Sequence, residues 1–116
     1  MHEMSLIESM LEELEQLKIK NNLTEISDVY LSVGEISGVH SGFLKSAFDL
    51  FVPNTVWSKL QMHLQDSPWR IRCIECSLEQ TVEDLNNQCV RCHSQNTETI
   101  QGKDFLILRI EGVVNV

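Results

Sequence analysis

Four cysteines constrain this chain more than any other feature. They fall as Cys73-Ile-Glu-Cys76, twelve intervening residues, then Cys89-Val-Arg-Cys92, and the 116-residue sequence holds no others. Two Cys-x-x-Cys pairs at this separation are the pattern of a four-thiolate zinc site. Each pair turns tightly enough to aim two sulfurs at one ion, and the segment between them brings the second pair round to complete a tetrahedron. Iron in a rubredoxin-like arrangement is the rival metal. Two disulfides or four reduced structural thiols are the metal-free alternatives. A zinc ion with four cysteine ligands keeps no open position for water or substrate, so the pattern predicts a structural centre.

The residues around the cysteines say what that centre supports. Between the pairs, Ser77 to Gln88 offers only Leu78, Val82 and Leu85 for packing. So polar a segment cannot order itself, and metal binding must supply much of its folding free energy, on the order of 10–16 kcal/mol for structural zinc in small peptide sites. Upstream, Met4, Ile7, Leu11 and Leu14 recur at helical spacing, and Glu8, Glu12, Glu13 and Glu15 take the other face, which predicts a helix over 4–20 ending at Asn21-Asn22. Val29, Leu31 and Val33 alternate with Tyr30 and Ser32 and predict a strand. Ser41 is the expected cap of a second helix, with Phe43, Leu44, Ala47, Phe48 and Phe51 on its apolar face. Leu60, Met62 and Leu64 alternate with Gln61, His63 and Gln65, a strand with one buried face. Phe105 to Ile110 reads as a last strand with no partner of matching quality in the cysteine segment, so it is expected to return to the strands at 27–33 and 59–66. The predicted fold is α+β: a small mixed sheet with two helices, formed by 1–66 and 104–116, carrying an inserted zinc-ribbon-like four-cysteine domain over 67–103.

Charge narrows the function classes. The chain has 17 acidic and 9 basic side chains, a net charge of −8, and residues 67–103 carry five acids against Arg70, Arg72, Arg91 and Lys103. Phosphate binding needs a basic face, so nucleic acid is not expected as a partner. No secretory signal pattern is visible and no apolar run reaches the roughly 20 residues needed to span a bilayer. Paired cysteines without such a signal point to a reducing compartment, and the cytoplasm is the expected location.

A second candidate metal site lies at the start of the sequence. A terminal amine, the deprotonated amides of residues 2 and 3 and the imidazole of His2 can close fused small chelate rings around one ion. Four nitrogens in a plane suit Ni(II) or Cu(II), and Glu3 adds a carboxylate. His93, directly after Cys92, is placed either to replace a cysteine or to hydrogen-bond a thiolate. His40 and His63 are expected to be ordinary surface residues. No phosphate loop, nucleophile elbow or His-Glu-x-x-His motif is present, so no enzyme activity is expected.

Taken together, Met1-His2-Glu3, the acidic helix that follows, Val33-Gly34-Glu35, Gly38-Val39, Ala47-Phe48, the two cysteine pairs and Leu106-Ile107-Leu108-Arg109-Ile110-Glu111 resemble the HypA/HybF family of hydrogenase-maturation nickel chaperones over essentially the whole chain. The resemblance implies Ni(II) bound through the Met1 amine, the His2 amide and imidazole, and Glu3. It implies structural zinc on Cys73, Cys76, Cys89 and Cys92. It further implies delivery of nickel for [NiFe]-hydrogenase assembly with the GTPase HypB and the hydrogenase large-subunit precursor, and with urease maturation proteins in some members. The chain departs from the family where Cys89-Val-Arg-Cys92-His93 replaces the frequent Cys-Pro-x-Cys-Gly, and where Pro53-Asn54-Thr55-Val56-Trp57 replaces a Gly-Thr-x-Ala-Glu-like run. Without the resemblance, the alternatives are a zinc-ribbon protein-interaction domain or a nucleic-acid-binding module.

Overall fold

The computed structural model describes residues 3–115. Two three-stranded sheets make up the fold, one backed by two helices and one built around the cysteines. The first helix, α1 (Glu3–Lys20), buries Leu6, Ile7, Met10 and Leu14, a stripe at three- and four-residue steps. It stops where Asn22 takes a left-handed conformation, φ 55°. Strand β1 (Leu23–Gly34) follows, then α2 (Ser41–Phe51), one turn of 3₁₀ helix (Val52–Asn54) and β2 (Gln61–Ser67). β1 and β2 are parallel, with Val29 beside Met62 and Leu31 beside Leu64, so α2 is the crossover of a βαβ unit. The last strand, β6 (Phe105–Val114), lies antiparallel on the other side of β1, giving the order β2-β1-β6.

The two helices cover one face of this sheet. Leu6, Ile7, Met10 and Leu14 of α1 meet Ile26, Val29 and Leu31 of β1, Leu44 and Phe48 of α2, and Val52 and Leu60. Fully buried side chains of this size each contribute about 1.5–3 kcal/mol by leaving water. The other face is open. A row crosses all three strands there: His63 stacks on Tyr30 (ring centroids 4.3 Å apart), and the Arg109 guanidinium lies 3.9 Å from the Tyr30 ring centre on the side of β6. Asp28 accepts a hydrogen bond from His63 Nε2 at 2.7 Å, and Arg109 pairs with Glu111 at 3.6 Å.

Between β2 and β6 the chain forms the second sheet, β4-β3-β5, from β3 (Arg70–Cys73), β4 (Glu79–Thr81) and β5 (Thr97–Gln101). The two sheets meet backbone to backbone. Gly34 N–H donates to Asp104 O, Glu35 N–H to Ser67 O and Ile36 N–H to Gly102 O, each at 2.9 Å. A side chain on Gly34 would collide with the Gly102 carbonyl. Gly102 itself sits at φ +97°, and a Cβ there would fall 2.7 Å from Pro68 O. Trp69 locks the joint: its N–H donates to Glu35 Oε1 at 3.1 Å and its indole to Thr99 Oγ1 at 3.0 Å. The molecule is elongated, 56 × 30 × 17 Å.

Two local expectations are corrected. Ser41 does not cap α2. His40 does, its Nδ1 accepting from Phe43 N–H at 3.3 Å, while Ser41 Oγ donates to Asp66 Oδ1 at 2.8 Å. The Phe43 ring, 4.2 Å from the imidazole between centroids, holds His40 in the capping pose, and Ser41 is committed to the end of β2. Leu85 does not pack in the cysteine segment. It lies at φ 61° in the turn that closes the Glu83–Asn86 bridge and is 77 % exposed, whereas Val82 is buried.

Candidate metal centre

Each cysteine pair is held by the same local turn. In the first, Cys73 N–H donates to Leu78 O and Ser77 N–H to Cys73 O (2.8 and 2.9 Å). In the second, Cys89 N–H donates to Ser94 O and His93 N–H to Cys89 O (2.9 and 3.0 Å). Ser77 and His93, each directly after the second cysteine of its pair, both take the left-handed conformation, φ 66° and 65°. The repeat explains the spacing: two residues between cysteines let the chain reverse while both sulfurs stay on the inner side. The longer segment between the pairs returns the second knuckle against β3. Gln80 on β4 straps it there, its Nε2 donating to Gln88 O at 3.1 Å and its Oε1 accepting from Val90 N–H at 3.0 Å.

The knuckles face each other so that Cys73 Sγ lies 3.6 Å from Cys92 Sγ, and Cys76 Sγ lies 3.6 Å from Cys89 Sγ. All four sulfurs lie within 4.8 Å of one another. A zinc ion with bonds of about 2.3 Å to four sulfurs needs a tetrahedron of edge about 3.8 Å, so the arrangement fits the ion. It does not fit disulfides, whose sulfurs stand about 2.0 Å apart. Cys73 and Cys89 are buried, and Cys92 is at the surface.

The electrostatics also favour a cation. The Leu78 amide and then the Arg91 guanidinium draw the Cys76 thiol down to about 6. The Cys89 thiol is lowered, first by the Cys92 amide. At Cys92 the Ser94 amide works in the same direction, but Cys73, burial and the other two sulfurs outweigh it and push the thiol up to about 12. Some of the four ionise easily and the last resists, because negative charge is crowding into one place. A divalent ion at the centre relieves that crowding, and four thiolates around it still leave a net negative cluster. Arg91 balances the remainder from outside, its Nη2 donating to Cys76 O at 2.8 Å.

All four cysteines named from the sequence are therefore brought together. The sulfur cluster does not include His93, which is exposed. Glu3 is the first residue of α1, whereas Met1 and His2, the other expected nickel ligands, lie outside the described residues. Arg91 and Gln80 were not legible as parts of the centre. Arg91 counted only as a local positive charge, and a glutamine in a polar stretch carries no signal. Of the other arginines in this segment, Arg72 donates to Glu98 and Arg70 lies near Glu79.

A two-helix α+β sheet joined to a pair of cysteine knuckles closing a four-thiol centre is the build of a small metal-handling protein. Comparison with known proteins makes this specific. Residues 1–112 match the family model described as hydrogenase/urease nickel incorporation, metallochaperone, hypA. Relatives include the hydrogenase maturation factor HypA of Aquifex aeolicus, 34 % identical over 111 residues and covering 96 % of each chain. The factor of the same name from Shewanella baltica is 31 % identical over 111 residues, covering 96 % of this chain and 95 % of that one. The solution structure of the Ni metallochaperone HypA from Helicobacter pylori superposes with a TM-score of 0.71 at 27 % identity, over 99 % of this chain and 100 % of that one. The chain belongs to the HypA family of nickel metallochaperones for hydrogenase maturation.

Proposed function

We propose that this chain is a non-enzymatic nickel carrier that holds Ni(II) on Met1, His2 and Glu3 and keeps structural zinc on Cys73, Cys76, Cys89 and Cys92. The observation that carries this reading is the family match, which begins at residue 1 and so includes Met1-His2-Glu3. The four-thiol set supports it indirectly. A closed tetrahedral site does not exchange its ion readily, so a carrier built on this fold needs a second site for its cargo. The amine, two amides and one imidazole at the start of the chain form a donor set suited to Ni(II). A site at a chain end also suits release, because its ligands can leave one at a time as a recipient's ligands take over. The expected recipients are a HypB-type GTPase and the [NiFe]-hydrogenase large-subunit precursor. The urease maturation proteins are a further client, in keeping with the family's description. The expected setting is the cytoplasm. Residues 67–103 form the zinc domain, and 1–66 with 104–116 the nickel domain.

Nickel titration of the untagged, zinc-loaded protein tests the reading. One equivalent of Ni(II) is expected to bind with a planar-nickel absorption band, and His2→Ala is expected to abolish it while zinc content and fold persist. Tight stoichiometric nickel binding by that variant in calorimetry would overturn the assignment. An N-terminal tag, which removes the amine, is expected to weaken binding and change the band.

A further inference from the structure

A groove of about 450 Å³ lies between α1 and the connection that leads from α2 to β2. Leu11, Phe51 and Trp57 are half-buried, each packing on the core and also lining the groove. Glu8, Glu12 and Glu15 border it from α1, at the three- and four-residue steps that place them on one helical face. All three are exposed, and none has an ion-pair partner among the described residues. Beyond Trp57 the depression continues past Val56, whose side chain is 96 % exposed and packs on nothing in the single chain. Lys18 and Lys59 border only that continuation, so the half beside Phe51 is ringed by carboxylates alone. The wall is fixed before anything binds. Thr55 N–H and Oγ1 both donate to Val52 O (3.0 and 2.7 Å), Thr55 Oγ1 accepts from Trp57 N–H at 3.1 Å, and Leu60 N–H donates to Trp57 O at 2.9 Å. The Lys18 ammonium lies over the indole, 5.9 Å from its centre.

These features select an occupant. Half-buried Leu11, Phe51 and Trp57 call for apolar side chains, and the unopposed carboxylates call for cations beside them. No strand lines the groove, so an extended segment would leave its backbone groups unpaired there, whereas a helix satisfies its own. A second copy of this chain brings a net charge of −8 and the same three glutamates, and an anionic lipid surface brings like charge as well. We propose that the groove receives an amphipathic helix of a partner protein, laid along α1. Its apolar face rests on Leu11, Phe51 and Trp57, and lysine or arginine on successive turns reaches Glu8, Glu12 and Glu15. None of these residues belongs to either metal set, so the outcome here is independent of the nickel assignment.

Amide NMR and fluorescence anisotropy on the full zinc-loaded chain test this. The probe is a labelled synthetic helix with a leucine stripe flanked by lysines, and its counterpart carries glutamates in place of the lysines. The basic probe is expected to bind in the micromolar range, more weakly as salt rises, and to shift the amides of residues 8–15 and 51–57. Glu8→Lys combined with Glu12→Lys, both at exposed positions, is expected to raise its dissociation constant about tenfold or more. Val56→Asp is expected to weaken it in the same direction. Thermal melts establish that the variants are folded, and the acidic probe is expected to prefer the double-lysine variant to the wild type. A basic probe that causes no shift up to several hundred micromolar overturns the proposal. So do shifts that map to another surface, binding indifferent to these substitutions, or a wild-type chain that takes the acidic probe equally well. Groove shifts produced by phosphatidylserine vesicles, or by raising the protein's own concentration, in place of the basic probe would overturn it too.

Discussion

At the scale of single residues, two positions have consequences that can be measured. His93 holds a left-handed backbone conformation in the second knuckle, φ 65°. A side chain there costs about 1–2 kcal/mol, partly offset because glycine loses more freedom on folding. His93→Gly is therefore expected to stabilise the zinc-loaded protein by about 1 kcal/mol in thermal denaturation, with zinc retained. On the open sheet face, the hydrogen bond from His63 and then that from Ser27 hold the Asp28 carboxyl below its usual value. The folded value thus lies below the unfolded one. The stabilisation is present above the ordinary carboxylate range and is lost as pH falls through the depressed value. His63→Ala should accordingly lower the urea midpoint at neutral pH, by an amount that shrinks as pH falls through the depressed Asp28 value, which denaturation over a series of acidic pH values would check. The cysteine ligands were legible at this scale because metal spacing is local. Arg91 and Gln80 were not, because each acts on a knuckle that only folding brings within reach.

At the scale of elements, the helices and the cores of the strands followed from periodicity, since each has one face packed and one face wet. The ends of the strands did not. Apolar alternation in β1 covers Val29 to Val33, yet the strand begins at Leu23, because ladders to Val114 and Val113 of β6 continue it past Ile26, where only the half-buried Leu23 still packs on the core. A ladder needs only a neighbouring backbone, and sequence patterns report side chains. The cap of α2 was misread for a related reason: a histidine caps well only when a ring such as Phe43 holds it in place. The joint between the sheets rests on Gly34 and Gly102, both buried. Gly102→Ala would meet a strained backbone angle and two backbone neighbours at once, and a loss of about 2–4 kcal/mol is expected by chemical denaturation.

At the scale of the whole molecule, one strand order ties the cysteine segment to the helix-backed sheet. The return of Phe105–Val114 to β1 was legible because the polar cysteine segment has nothing comparable to pair with it, and β6 does lie antiparallel to β1. Removing zinc with a chelator, or substituting Cys73→Ala, is expected to collapse the dispersed amide signals of β3, β4 and β5 while those of β1 and β2 persist. Unchanged signals in β3–β5 would contradict a metal-ordered segment. The same connection bears on the order in which a newly made chain can fold. The helices, β1 and β2 emerge first, then the four thiols, and the strand that completes the first sheet emerges last. Until a metal closes the knuckles, β2 and β6 are joined by a long floppy tether, and closing such a tether costs entropy that grows with its length. Capture of zinc would shorten it to a compact module whose two ends lie side by side at Ser67 and Gly102. Metal supply during synthesis would then be a kinetic condition for finishing the sheet that no thiol touches.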